Sequence, residues 1–110
     1  MQLNKITGEV SRRVQELLGG SLRDIILFGS YARGDYDEES DIDIMVLADI
    51  EESERRVWQL KMNRISSRVS LDNDITVCIM LNNKSLFEQR LPILPFYRNV
   101  INDGVPIYAS

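Results

Sequence analysis

Apolar residues recur at helical spacing over the first eighteen positions, where Leu3, Ile6, Val10, Val14, Leu17 and Leu18 fall on one face. The spacing predicts an amphipathic helix, and Gly19-Gly20 supplies a left-handed stop. The pattern then changes to a short continuous apolar run, Ile25-Ile26-Leu27-Phe28, closed by Gly29, as expected of a buried strand. Ser30 to Arg33 reads as a helical turn or short helix, and Gly34-Asp35 with the acidic stretch to Ser40 as a solvated surface loop. Asp41 to Leu47 reads as a second strand. Glu51 to Val69 carries Trp58, Met62, Ile65 and Val69 at helical spacing, with Glu and Arg on the other face, and predicts a long surface helix. Leu71 to Asn73 approaches a third strand at Ile75 to Met80, rich in β-branched and apolar residues. Ser85 is placed to cap a short helix that ends before Pro92. A helix from Phe96 to Asn102 turns at Gly104 into an edge strand, Val105 to Ala109, that tolerates Pro106. Alternating helices and strands without repeats or linkers imply an α/β (α+β) fold, two-layered, with a small mixed sheet against helices.

Length and composition narrow this to a single domain over residues 1–110: at 110 residues and 44% hydrophobic content the chain can bury one core but not two. A formal net charge of -4 leaves little of the phosphate attraction behind non-specific binding, so duplex nucleic acid is not the expected partner. Cys78, the one cysteine, lies inside an apolar run and is expected to be buried packing; there is no disulfide framework, which fits a reducing cytoplasm. The apolar runs are too short to span a membrane, and MQLNKITGEV lacks the apolar core of a signal peptide, so the expectation is a soluble, unexported protein. With no histidine, Ser-His-Asp and Cys-His nucleophiles, His-ligated zinc and imidazole acid-base chemistry all drop out. Chemistry must run on carboxylates, hydroxyls, Lys, Arg or bound metal.

Asp41 and Asp43 alternate around Ile42, so on a strand both carboxylates project from one face while Ile42 enters the core. Paired anions repel, and their all-oxygen donor set suits Mg²⁺ or Mn²⁺. Magnesium usually completes its shell with waters and substrate phosphates, which points to a nucleotide as co-ligand. Phe28-Gly29-Ser30 is a tight strand-to-helix turn, where glycine admits close backbone approach, helix-start N–H groups face an anion and the Ser30 hydroxyl adds a donor. Each feature alone has an ordinary alternative: a solvated strand end for the aspartates, a helix N-cap turn for Gly29-Ser30, and an ion-pair partner of the acidic loop for Arg33. Trp58 lies on the apolar stripe of its helix and is read as core.

Taken together, Gly29-Ser30-Tyr31-Ala32-Arg33-Gly34 followed by Ser40-Asp41-Ile42-Asp43-Ile44-Met45-Val46 resembles the signature of the minimal nucleotidyltransferases of the DNA polymerase beta superfamily. Arg98-Asn99-Val100-Ile101-Asn102-Asp103-Gly104 is similar to the family's final helix and turn. The resemblance implies transfer of a nucleoside monophosphate, usually AMP from ATP, to a hydroxyl, with two Mg²⁺ ions (Mn²⁺ as the alternative) held by Asp41, Asp43 and a third carboxylate on a neighbouring strand. It puts the triphosphate at Gly29 and Ser30, with Arg33 and Ser40 in the same signature. Asp74, directly before Ile75-Thr76-Val77, is the preferred third acid, and Asp72 the rival.

Minimal domains of this size resemble the antitoxin half of HEPN/MNT toxin–antitoxin pairs, which modify a tyrosine of a helical HEPN partner, and this is the leading role. An aminoglycoside-type enzyme with a small-molecule acceptor, or an antitoxin acting by binding alone, are the alternatives. Leu91-Pro92-Ile93-Leu94-Pro95-Phe96-Tyr97 is unusually apolar and offers an interface, including one between copies of the chain, although core packing is the preferred reading.

Overall fold

Helix α1 (Leu3–Leu18) forms on the stripe that the spacing predicts, burying Ile6, Val10, Val14 and Leu18, and Gly19 follows it with φ 54°. The computed structural model describes residues 3–109. Strand β1 (Leu22–Phe28) begins three residues before its apolar run, because a bulge between Leu22 and Asp24 brings Leu22 onto the same face as Ile25. After the bulge the alternation is regular. Ile25 and Leu27 face one core cluster, and Ile26 and Phe28 face another. Strand β2 (Ile42–Ala48) divides in the same way, with Ile44 and Val46 on the first side and Met45 and Leu47 on the second. Both faces are covered over most of its length, so its sequence reads as a nearly continuous apolar run.

A four-stranded mixed sheet results, in the order β3-β2-β1-β4, with β3 spanning Val77–Asn83 and β4 spanning Val105–Ala109. β1 is antiparallel to β2 and β4, and β2 is parallel to β3. The parallel pair requires a crossover, supplied by α3 (Arg55–Asn73), which packs with α1 on one face through Met62 and Val69. A mixed sheet packed against helices is the α+β arrangement expected, although helices cover both of its faces rather than one. On the opposite face α4 (Lys84–Arg90) and α5 (Pro95–Asp103) cover Ile26, Met45 and Leu47 with Phe87 and Val100. Their cover stops short of the end of the sheet where Asp43 is half-buried and Cys78 is exposed. That gap positions the site.

α3 also closes the outer edge of β3. Gln59 accepts a hydrogen bond from the Leu81 N–H (2.8 Å) and donates one to the Ile79 carbonyl (2.7 Å), and the Val77 N–H donates to Ser70 Oγ (2.9 Å). Backbone groups that would otherwise template a further strand are occupied. At the other edge Pro106 is accommodated beside a register shift between Ile25 and Ile26. Gly104 turns α5 into β4 where a Cβ would collide with the Val100 carbonyl oxygen and lie 2.5 Å from Ile26 Cγ2.

Four expectations need correction. The third strand starts at Val77 rather than Ile75, because α3 continues to Asn73 through residues off its buried stripe, such as Leu71, 81% exposed. Asn83, not Ser85, caps α4: its side chain accepts from the Leu86 N–H (3.0 Å). Cys78 is exposed rather than buried, since it alternates with the buried Val77 and Ile79 on a face the helices leave open. The segment between α4 and α5 is a surface, with Ile93 73% and Phe96 43% exposed, while Leu91 and Tyr97 pack at the edge of the second cluster. Among the described residues no helix is long and apolar enough to cross a membrane.

Candidate active site

The end of the β1–β2 ladder places Phe28 opposite Asp43. The chain then reverses at Gly29, with φ 76° and ψ -157°, a conformation that is essentially restricted to glycine. A Cβ there would lie 2.5 Å from Asp43 Oδ2, so the turn's backbone is pressed against the carboxylate. The four-residue helix α2 (Ser30–Arg33) starts from this turn, and the Gly29 carbonyl accepts from the Ala32 and Arg33 N–H groups, both at 3.1 Å. Ser30 is thus fixed one residue after the contact.

Asp41 is exposed immediately before β2 and Asp43 is half-buried on the strand. Ile42 between them is fully buried, and its N–H donates to the Thr76 carbonyl at 2.9 Å. The carboxyl of Asp43 is pushed above its ordinary value, first by burial and then by the Asp41 charge, with Arg33 acting in the opposite direction. The two acids form a partly desolvated anion pair that a cation would relieve.

The other signature residues hold the surrounding loop. Arg33 donates to Asp35 Oδ2 (3.2 Å), the ion-pair reading of that residue, while remaining within electrostatic reach of Asp43. Ser40 Oγ accepts from the Asp37 N–H (3.0 Å) and donates to Asp37 Oδ1 (3.2 Å), folding the loop onto the entrance of β2. Tyr31 is buried and stacks on Tyr36 with ring centroids 4.3 Å apart. Burial, followed by Tyr36, Asp37 and Asp41, raises its hydroxyl pKa. Beside this stack lies a groove of about 740 Å³ lined by Ile6, Tyr31, Tyr36, Asp37, Glu38, Asp72, Asn73, Asp74 and Ile75.

Asp74 belongs to that groove. It is the left-handed C-cap of α3 (φ 52°, ψ 43°), with its N–H bonded to the Ser70 carbonyl, and lies three residues before β3. Asp72 pairs with Arg68 at 3.2 Å. Among the described residues no three His, Cys, Asp or Glu side chains are grouped to hold a metal, so the expected trio of Asp41, Asp43 and Asp74 is not assembled. The physical reason is the extra length of α3, which takes Asp74 as its cap and leaves Cys78 as the β3 residue registered with Asp43. Val77 to Leu81 is apolar throughout in sequence and alternates only in burial, so Cys78 was not distinguishable from its neighbours before its exposure was known.

The family profile described as "Nucleotidyltransferase domain" matches residues 4–107. The chain belongs to that family. Among its relatives are two candidate protein adenylyltransferases of Methanocaldococcus jannaschii. One is 38% identical over 86 residues, covering 78% of this chain and 85% of the relative. The other is 31% identical over 108 residues, covering 98% and 100%. A crystal structure of a candidate nucleotidyltransferase from Sulfolobus solfataricus shares the fold at TM-score 0.63 and 23% identity, over 96% of this chain and 79% of that one. A toxin–antitoxin crystal structure with AMP-PNP does so at TM-score 0.56 and 22% identity, over 92% and 72%.

The donor set of this nucleotidyltransferase fits one hard divalent ion: two oxygen-donating carboxylates, one of them partly desolvated, beside a turn that lets a phosphate approach the backbone.

Proposed function

We propose that this nucleotidyltransferase transfers AMP from ATP to a tyrosine hydroxyl of a HEPN-type toxin and so acts as its antitoxin. The observation that carries the reading is the contact between the Gly29 turn and Asp43, which brings a phosphate-accepting backbone and an anion pair into one place. The relationship to the M. jannaschii candidate protein adenylyltransferases supports a protein acceptor, and the fold shared with a toxin–antitoxin protein supports the biological setting.

In this reading Asp41 and Asp43 would hold a Mg²⁺ ion, which would supply charge neutralisation at the phosphates. Gly29 admits the phosphate chain to the backbone, Ser30 donates its hydroxyl to it, and Arg33 adds positive charge at the rim. The acceptor oxygen bonds to the α-phosphorus as the bond from that phosphorus to the bridging oxygen breaks; the hydroxyl proton passes to solvent water and pyrophosphate leaves. Ile93, Leu94 and Phe96 supply an exposed apolar surface for the partner, and Phe96 touches Phe28 edge-on at the base of the site (centroids 5.7 Å apart).

The test is incubation of the chain with α-labelled ATP and Mg²⁺, alone and with its HEPN-type partner, followed by intact-mass analysis of both proteins. A gain of AMP on the partner, abolished by Asp41→Ala, is the expected result. Tight complex formation without any mass gain under any nucleotide or metal would replace the proposal with neutralisation by binding alone. Labelling of a small hydroxylated compound without the partner would replace it with a small-molecule acceptor.

A further inference from the structure

We infer that this nucleotidyltransferase works from two metal-binding carboxylates rather than three, because Cys78 occupies the place beside Asp43 where a third would stand. The inference rests on the nucleotide reading of Asp41 and Asp43 and concerns the side chains around them.

Asp43 has two neighbours across the sheet, Phe28 on β1 and Cys78 on β3. Adjacent strands lie about 4.8 Å apart, and residues in register present their side chains on the same face. The alternation of β3 gives the same answer independently: Val77, Ile79 and Leu81 are buried in the cluster shared with α3, so Cys78 and Met80, both exposed, occupy the opposite face with Asp43 and Met45. Continuing the register one step towards the N-termini brings Thr76 beside Asp41. The residues next to the two aspartates, Cys78 on β3 and Thr76 just before it, therefore carry a thiol and a hydroxyl.

The acids nearby in sequence lie elsewhere. Asp74 closes α3 in a left-handed conformation and lines the groove beside Tyr31, and Asp72 is paired with Arg68. A thiol does not substitute for them chemically, since Mg²⁺ and Mn²⁺ select carboxylate and phosphate oxygen while sulfur ligands suit softer metals. Two carboxylates suffice for the ion that accompanies the triphosphate. A second ion has no carboxylate on β3 to hold it, and the proton lost by the acceptor hydroxyl as its oxygen bonds to phosphorus passes to solvent water, since position 78 offers no carboxylate to receive it.

The test is the stoichiometry of Mn²⁺ bound to the full chain in the presence of AMP-PNP, followed by electron paramagnetic resonance, for the wild type, Cys78→Asp and Cys78→Asn. A single nucleotide-dependent ion is expected on the wild type and on Cys78→Asn, and a second ion on Cys78→Asp. The added carboxylate is also expected to raise the transfer rate by about a hundredfold or more, the lower end of the range in which a positioned base acts. Two ions on the wild type, or a single ion on a folded Cys78→Asp, would overturn the inference while leaving the nucleotide reading intact. Absence of any nucleotide-dependent ion on the wild type would overturn both. Thermal unfolding checks that Cys78→Asp folds, and if it does not, the wild-type stoichiometry decides alone.

Discussion

Gly29 and Asp43 meet at the end of the β1–β2 ladder so closely that a single added methyl group would lie 2.5 Å from the carboxylate Oδ2. The glycine also adopts φ 76°, which a side chain resists. Gly29→Ala is therefore expected to lose about 1–3 kcal/mol of stability from the backbone alone. Because it also displaces Asp43, transfer should fall about a hundredfold even where the variant is fully folded. Urea unfolding and labelled-nucleotide transfer at the same temperature separate the two effects.

Asp43 works against the fold it stands in. Its folded pKa is raised above the ordinary 3.8 by burial and by Asp41, so the folded state holds this proton more tightly than the unfolded chain. Stability is then lost as pH rises from 3.8 through the folded value, and the ionised carboxylate remains a net cost above that window. Asp43→Asn is expected to melt higher than the wild type at pH 7, by less than about 1 kcal/mol because the group is half-exposed and water screens it. The difference should close in acid. In the same variant Mg²⁺ and ATP should no longer raise the melting temperature, as they do for a protein that binds them only when folded.

Gln59 holds the outer edge of β3 through two backbone hydrogen bonds, at 2.7 and 2.8 Å. Gln59→Ala should lower stability by about 1–3 kcal/mol, since it leaves a carbonyl and an N–H without that partner. A lower urea midpoint, with more aggregation during refolding as the edge opens, is the expected outcome. An unchanged midpoint would mean that water replaces the amide at no cost.

Ile93 is 73% exposed between α4 and α5. Ile93→Asp should leave the isolated chain within about 0.5 kcal/mol of wild type, as surface substitutions usually do. If this segment seats the HEPN-type partner, the same change should weaken binding at least tenfold by calorimetry, and unaltered affinity would place the partner elsewhere.

The helices α1 and α3, the apolar strands β1 and β2, the Gly29 turn and the alternation of Asp41 with Asp43 were all legible in the chain itself. Each is a local matter: a period of 3.6 or 2 decides which side chains share a face, and a glycine between an apolar run and a serine marks a reversal. The family followed from the same short stretch, where residues close in sequence are also close in space. What lay beyond that reach was settled by contacts between distant segments. Whether Asp74 or Cys78 flanks Asp43 depends on where α3 stops and on how β3 registers against β2, a pairing of residues 35 positions apart in which a slip of one would turn the other face outward. The exposure of Cys78 and Ile93 depended in turn on how far α4 and α5 extend over the second face of the sheet. Periodicity says which residues share a face, but only packing in three dimensions decides whether that face is covered.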